Sequence, residues 1–274
     1  MTLKTRNILS KYMLFLSLLI IVAHVSILIV AIVTESVVPP VTLRVLQFPE
    51  AFVPARYSFA ATMASIALLA LYVPVSLVLL LRFFENTQSV EVIFFGGVLL
   101  GCLCESSRSL IPLFGIWQSY SPLLFFASRI VVSGRLMVPL FFFAMATVSD
   151  ADQRQNVERN FTIVLALSAV IATAMPLNTA QTTSTCMIVE GFAPILTIIR
   201  LLLFVITGGA FFINAFRHDS PELKQISVFY IFIVLGYLFL TGADNFLFMG
   251  IGTVLLGIGT VQFLRNLHRL YMWK

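Results

Sequence analysis

The chain has 274 residues, of which 59% are hydrophobic and only 11% charged. Soluble domains carry about 25% charged residues, so this composition excludes an ordinary water-soluble fold and places the chain in a bilayer. A net charge of +5 would suggest nucleic acid in a soluble protein, but basic residues beside membrane helices are expected for topology alone, and no basic-aromatic surface asks for nucleic acid.

The N-terminal segment carries Lys4, Arg6 and Lys11 ahead of an apolar run from Tyr12 to Val33. That run is too long for the core of a signal peptide, and no small-residue cleavage pattern follows, so it reads as a retained first span. A span needs about 20 apolar residues. Eight segments qualify: 10–34, 58–83, 89–116, 120–147, 159–177, 192–216, 224–242 and 246–265. The expected fold is therefore an all-α, polytopic helix bundle forming one transmembrane domain over residues 1–274.

The outer loop 35–57 is the longest, broken by Pro39, Pro40, Pro49 and Pro54. Within it, residues 41–48 read as a short strand or an interfacial helix. The loop 178–191 is polar and Thr-rich. Ser220-Pro221-Glu222 has the form of a helix start, with proline at the first helical position. Pro74, Pro112, Pro139 and Pro176 fall within or near span ends, where each frees a carbonyl. In the last span, Gly250, Thr253, Gly257 and Thr260 recur at helical spacing and predict a close-packing stripe.

Charge in the loops sets the expected orientation. With the N-terminus cytoplasmic, Lys4, Arg6, Lys11, Arg82, Arg154, Arg159, Arg217, Lys224, Arg265, Arg269 and Lys274 fall inside, eleven of the seventeen Lys and Arg. Only Arg44 and Arg56 fall outside. This positive-inside bias predicts both termini in the cytoplasm and an even number of spans. The expected location is a bacterial inner (plasma) membrane.

The ionisable groups within spans are His24, Glu105, Arg108, Arg129, Arg135 and Arg200. Intramembrane charge is costly and marks either function or a buried pair. At a rise of about 1.5 Å per residue, Arg129 and Arg200 lie about 12–13 Å from the outer span ends, Arg108 about 14 Å and His24 about 15 Å. On the same rise, Glu105 lies about 18 Å deep and Arg135 about 21 Å. Gly97, Gly101, Glu105 and Arg108 step by four, four and three along one helix face.

Four arginines thus face one membrane carboxylate, an excess that a low-dielectric bundle tolerates poorly without an anion. The arginine fork suits carboxylate and phosphate. Arg108, Arg129, Arg200 and His24 are the candidate ligand-binding residues, with Glu105 and Arg135 as an ion pair or proton site. The structural alternative gives the arginines to carbonyls freed by proline, to the interface, or to register-fixing pairs.

Enzyme signatures are absent: there is no H-E-x-x-H, no G-x-S-x-G and no glycine-rich phosphate loop. Cys102, Cys104 and Cys186 suit neither a disulfide nor a metal set, so no cofactor or metal is expected. By span count, the arrangement resembles bacterial seven- or eight-helix sensor modules, which implies a separate protein partner at the cytoplasmic face. The expected function is a receptor-like or accessory membrane subunit with an outward-facing site for an anionic or amphiphilic small molecule or a membrane lipid. The alternatives are a transporter of an organic anion or lipid, a structural subunit and, last, a membrane enzyme acting on a lipid phosphate.

Overall fold

A computed structural model describes residues 3–33, 42–43, 53–85, 87, 89–113, 122–147 and 157–272. Most of the loop 35–57, the segment 148–156 and the C-terminal Trp273 lie outside these residues, so the readings made there carry no structural account. The elements run α1 (Leu3–Val33), β1 (Thr42–Leu43), α2 (Phe59–Phe84), α3 (Val90–Ser106), α4 (Leu110–Leu113), α5 (Pro122–Thr147), α6 (Val157–Ala174), β2 (Leu177–Thr183), β3 (Ile188–Glu190), α7 (Ala193–Arg217), α8 (Pro221–Thr241) and α9 (Phe246–Met272). A 3₁₀ turn, Ser107–Ser109, joins α3 to α4.

Among the described residues, eight helices are long and apolar enough to cross a membrane, α3 and α4 counting as one interrupted span. Each of the eight expected segments overlaps one of them. The surface agrees with an apolar surround. Phe15, Val22, Leu123, Phe126, Val170, Val205 and Ile213 each stand half or more exposed. Water would not tolerate apolar patches of that extent on an isolated domain.

Helix starts follow ordinary capping chemistry. The hydroxyls of Ser58, Ser89 and Ser220 accept from the backbone N–H of Ala61, Val92 and Leu223, and so cap α2, α3 and α8. Pro221 opens α8 as its first residue. Pro74 and Pro139 lie inside α2 and α5.

The centre of the bundle is aromatic. Phe95 stacks on Phe263 at 5.9 Å, and Phe142 meets Tyr230 edge-on at 5.3 Å. These contacts tie α3, α5, α8 and α9 together.

Two close helix crossings set the frame. At the first, a Cβ on Gly101 would lie 3.0 Å from the Gly134 carbonyl oxygen, and one on Gly134 would lie 2.8 Å from the Glu105 amide nitrogen. Only glycine at both positions lets α3 and α5 approach this closely. The second joins α8 to α9. Here the glycines of the expected stripe are not the ones that pack, although Thr260 of that stripe is buried and meets the Tyr72 hydroxyl of α2 at 2.8 Å. Nothing lies within 4 Å of a Cβ built on Gly250 or Gly257. The packing glycines of α9 are Gly252, against Leu240, and Gly259, against Ile233, while Gly236 of α8 receives Leu256. Residues 252, 256 and 259 repeat the same 4–3 spacing on another face of the helix, so spacing alone could not choose between the two.

The Thr-rich segment 178–191, expected as a loop, forms most of a hairpin. β2 pairs antiparallel with β3, and β1 adds parallel to β2 through Thr42–Thr182 and Leu43–Thr183. This sheet covers the end of the bundle at which α6 and α8 finish and α2, α7 and α9 begin. Ser184, Cys186, Met187 and Ile188 are buried there. Cys186 adopts a left-handed backbone, with φ 59°, to close the turn. The turn is held to the bundle twice. Ser184 Oγ donates to Asp244 Oδ2 at 3.1 Å, and Thr62 Oγ1 donates to the Ser184 carbonyl at 3.2 Å.

Candidate functional site

The polar centre lies directly beneath the hairpin. Glu105, wholly buried, is the hub. Its Oε1 accepts from Arg135 Nε at 2.6 Å, and its Oε2 accepts from the Tyr237 hydroxyl at 2.6 Å. One carboxylate thereby fastens α3, α5 and α8. Each oxygen has its own short, charge-assisted donor, which is the arrangement that offsets the desolvation of a buried carboxylate.

Gly97, Gly101 and Glu105 share the α3 face turned to α5, where they meet Phe141, Gly134 and Arg135. Arg108 leaves that face. The 3₁₀ turn has about three residues per turn rather than 3.6, so continuing the helical wheel past Ser106 misplaces the next side chain. Arg108 instead reaches α8, where Nη1 donates to the Thr241 carbonyl at 2.6 Å. Thr241 ends that helix, so its carbonyl is one of the orphan acceptors and lies at the negative end of the helix dipole. Arg108 is fully buried, and its Nε and Nη2 have no hydrogen-bond partner among the described residues. Glu105, Arg135, Tyr237 and Cys186 all lie within electrostatic reach of it.

The other candidates are distributed differently. Arg129 gives Nη1 to the carbonyl of Ala172 at 2.7 Å and to that of Thr173, so it closes the C-terminal end of α6. Arg200 donates to the Leu196 carbonyl at 3.2 Å and to Thr197 Oγ1 at 3.3 Å, and lies 3.5 Å from Glu190 Oε2. His24 Nδ1 is 3.5 Å from Ser109 Oγ, and its Nε2 has no partner among the described residues. The structure therefore brings Glu105, Arg135 and Arg108 into one buried neighbourhood, with His24 meeting the same 3₁₀ turn through Ser109. Arg129 and Arg200 bond chiefly to helix ends and to the hairpin.

Glu190 changes the charge count. It is buried on β3, beside Arg200, although its sequence position suggested an open loop. With Arg135 set against Glu105 and Arg200 against Glu190, the apparent excess of about three positive charges contracts to two among the described residues: Arg129, partly exposed and bonded to two carbonyls at a helix end, and Arg108, fully buried.

Tyr237, Glu190 and Asp244 are the polar members that sequence reasoning left out of the site. Tyr237 had a signal: a phenol in mid-span wants a partner when buried. Asp244 is buried, accepting from Ser184 Oγ at 3.1 Å and from Asn245 Nδ2 at 3.0 Å. Above Arg108, burial pushes the Cys186 thiol up to about 12, against the opposing pull of the guanidinium, so the group stays a neutral thiol at physiological pH. No group of three or more His, Cys, Asp or Glu side chains that could hold a metal ion occurs among the described residues.

Comparison of the chain with protein-family models and with characterised proteins finds no match.

Proposed function

We propose that this chain is a multi-pass membrane protein that takes an anionic or amphiphilic ligand at Arg108, from the side covered by the hairpin. It acts as a receptor-like or accessory subunit with a separate protein partner on the opposite, cytoplasmic side. The observation that carries the reading is the state of Arg108. It is fully buried, it has one backbone carbonyl as its hydrogen-bond partner, and no carboxylate among the described residues pairs with it. Burying a cation in this way is unfavourable unless an anion completes it. The orientation rests on the excess of Lys and Arg on the loops opposite the hairpin.

Transport of an organic anion or lipid is the second reading. It is favoured by the 3₁₀ interruption between α3 and α4 at the arginine itself, a feature that often marks a hinge.

The test compares wild type with Arg108→Gln, purified in a neutral detergent, by mass spectrometry of co-purifying lipids and small anions. Loss of an anionic species from a variant with unchanged helicity is the expected result. Equal retention in a folded variant removes the site. Vesicle uptake then separates receptor from transporter: flat accumulation over time at every pH excludes transport.

A further inference from the structure

The two unpartnered nitrogens of Arg108 are Nε and Nη2. They form one edge of the guanidinium, with two N–H bonds running parallel, and this is the edge that takes two oxygens of a single acid group side-on. The third nitrogen, Nη1, is already held by the Thr241 carbonyl. That bond holds one corner of the group and leaves the Nε–Nη2 edge unpaired among the described residues. A point charge would need no such arrangement, whereas a two-oxygen acid needs both donors and their common plane.

Charge sets the second constraint. Arg135 and Arg200 each have a carboxylate, Glu105 and Glu190, and Arg129 lies on two carbonyls at a helix end. Among the described residues, Arg108 is the fully buried arginine left without a carboxylate. One negative charge neutralises this neighbourhood. Two would leave a buried anion beside Glu105, which lies within electrostatic reach of Arg108.

From fork and charge together we infer that the site is selective for a monoanion with two equivalent oxygens on one atom, carried on an apolar chain: a carboxylate or a phosphodiester, and not a doubly charged phosphate monoester. This deepens the proposed function and rests on it. The hairpin turn is the natural cover. Cys186 of that turn, within electrostatic reach of Arg108, is a neutral thiol that does not compete for the charge. Ser184, through Asp244, and Thr62 hold the turn over the bundle by hydrogen bonds.

The experiment measures binding to the full chain in a neutral maltoside by calorimetry at pH 8, with decanoate, dihexanoyl phosphatidylglycerol and dodecyl phosphate as probes. Dodecyl phosphate is repeated at pH 5.5, because phosphate monoesters lose their second proton near pH 6. Decanoate, the phosphodiester or both should bind the wild type. Dodecyl phosphate should bind more tightly at pH 5.5 than at pH 8. Arg108→Lys keeps one charge but loses the fork, and should weaken binding by about tenfold or more. Arg108→Gln should abolish it. Circular dichroism establishes that each variant is folded, and the charge-preserving lysine variant keeps the test decisive if the glutamine variant is not.

Binding of decanoate alone assigns the site to free fatty acids, and binding of the phosphodiester alone assigns it to lipid headgroups. Equal affinity for the mono- and dianion, or an unaffected Arg108→Lys variant, overturns the selectivity. Anion binding lost in Arg200→Gln but kept in Arg108→Gln preserves an anion site while removing this assignment. Binding of none of the three probes removes the anion-site reading itself.

Discussion

At the hairpin end of the bundle, Glu105, Arg135 and Arg108 bring charge into the interior, with Tyr237 as a neutral donor, and their partners come from other helices. At the opposite end, charge serves to finish helices. Arg6, on α1, donates Nη1 to the Thr87 carbonyl at 2.6 Å and Nη2 to the Phe84 carbonyl, which closes the end of α2. Glu91 accepts from the Tyr271 hydroxyl at 2.5 Å and from Ser89 Oγ at 3.2 Å. Lys224 and Asp219 form an exposed pair at 2.6 Å. Arginine therefore has two uses in this chain. One is to satisfy carbonyls where a helix stops, as Arg6, Arg129 and Arg108 do, and the other is to hold a buried carboxylate, as Arg135 does; Arg108 differs from the rest in keeping Nε and Nη2 unpaired among the described residues. Intramembrane position alone does not tell these uses apart.

Mutations sharpen this contrast. Glu105→Ala should have the largest effect, because it leaves Arg135 and Tyr237 buried without their acceptor. Breaking a buried pair from one side costs about 3–5 kcal/mol. Denaturant unfolding in detergent should show it, and a second change, Arg135→Leu, should recover much of the loss. A double variant no more stable than the single would mean that the pair is not the unit. Arg6→Ala should come next, at about 1.5–3 kcal/mol, for the loss of hydrogen bonds from a charged group to carbonyls. In the same unfolding experiment it should leave anion binding unchanged. An effect on binding would break the division between the two ends.

Asp219→Asn should be the smallest, since it removes the charge while keeping a residue type suited to the left-handed backbone there, with φ 42°. The hydrogen bond from Lys224 holds the Asp219 carboxyl below its usual range, so any stability it adds is present above the ordinary carboxylate pKa and fades as pH falls through the lowered one. Exposure to solvent keeps such a pair close to neutral. The unfolding midpoint should match wild type at pH 7 and at pH 3. A measurable loss confined to pH 7 would show that this end depends on charge more than its exposure suggests.

The eight spans were legible because hydropathy over about 20 residues depends on composition and not on context. The hairpin was not. Its threonines show no alternation that separates strand from loop, and its burial comes from the helices it covers. Glu190 was lost with it, and so the charge excess was overstated. The Gly101 side of the α3–α5 crossing was visible as part of a stripe, but its partner Gly134 emerges only when two helices are laid together. Arg108 was placed on the Glu105 face by continuing an ideal helix through Ser107, where the backbone tightens into a 3₁₀ turn. Arg129 was grouped with Arg108 by depth, a coordinate that carries no information about direction around the helix.

The distances along the chain between charged partners bear on how the protein is made. Glu105 meets Arg135 at a separation of 30 residues, but Arg108 meets Thr241 only at 133. At about 5–20 residues per second, α5 follows α3 after about 2–6 s, while the end of α8 arrives about 7–27 s later than Arg108. During that interval α3 carries an arginine with no acceptor on α8. Insertion of α3 and α5 as a pair, joined first by the ion pair and the Gly101–Gly134 crossing, would shelter the nascent charges. The hub carboxylate would then act as an assembly checkpoint in biogenesis, engaged well before the last two helices are synthesised.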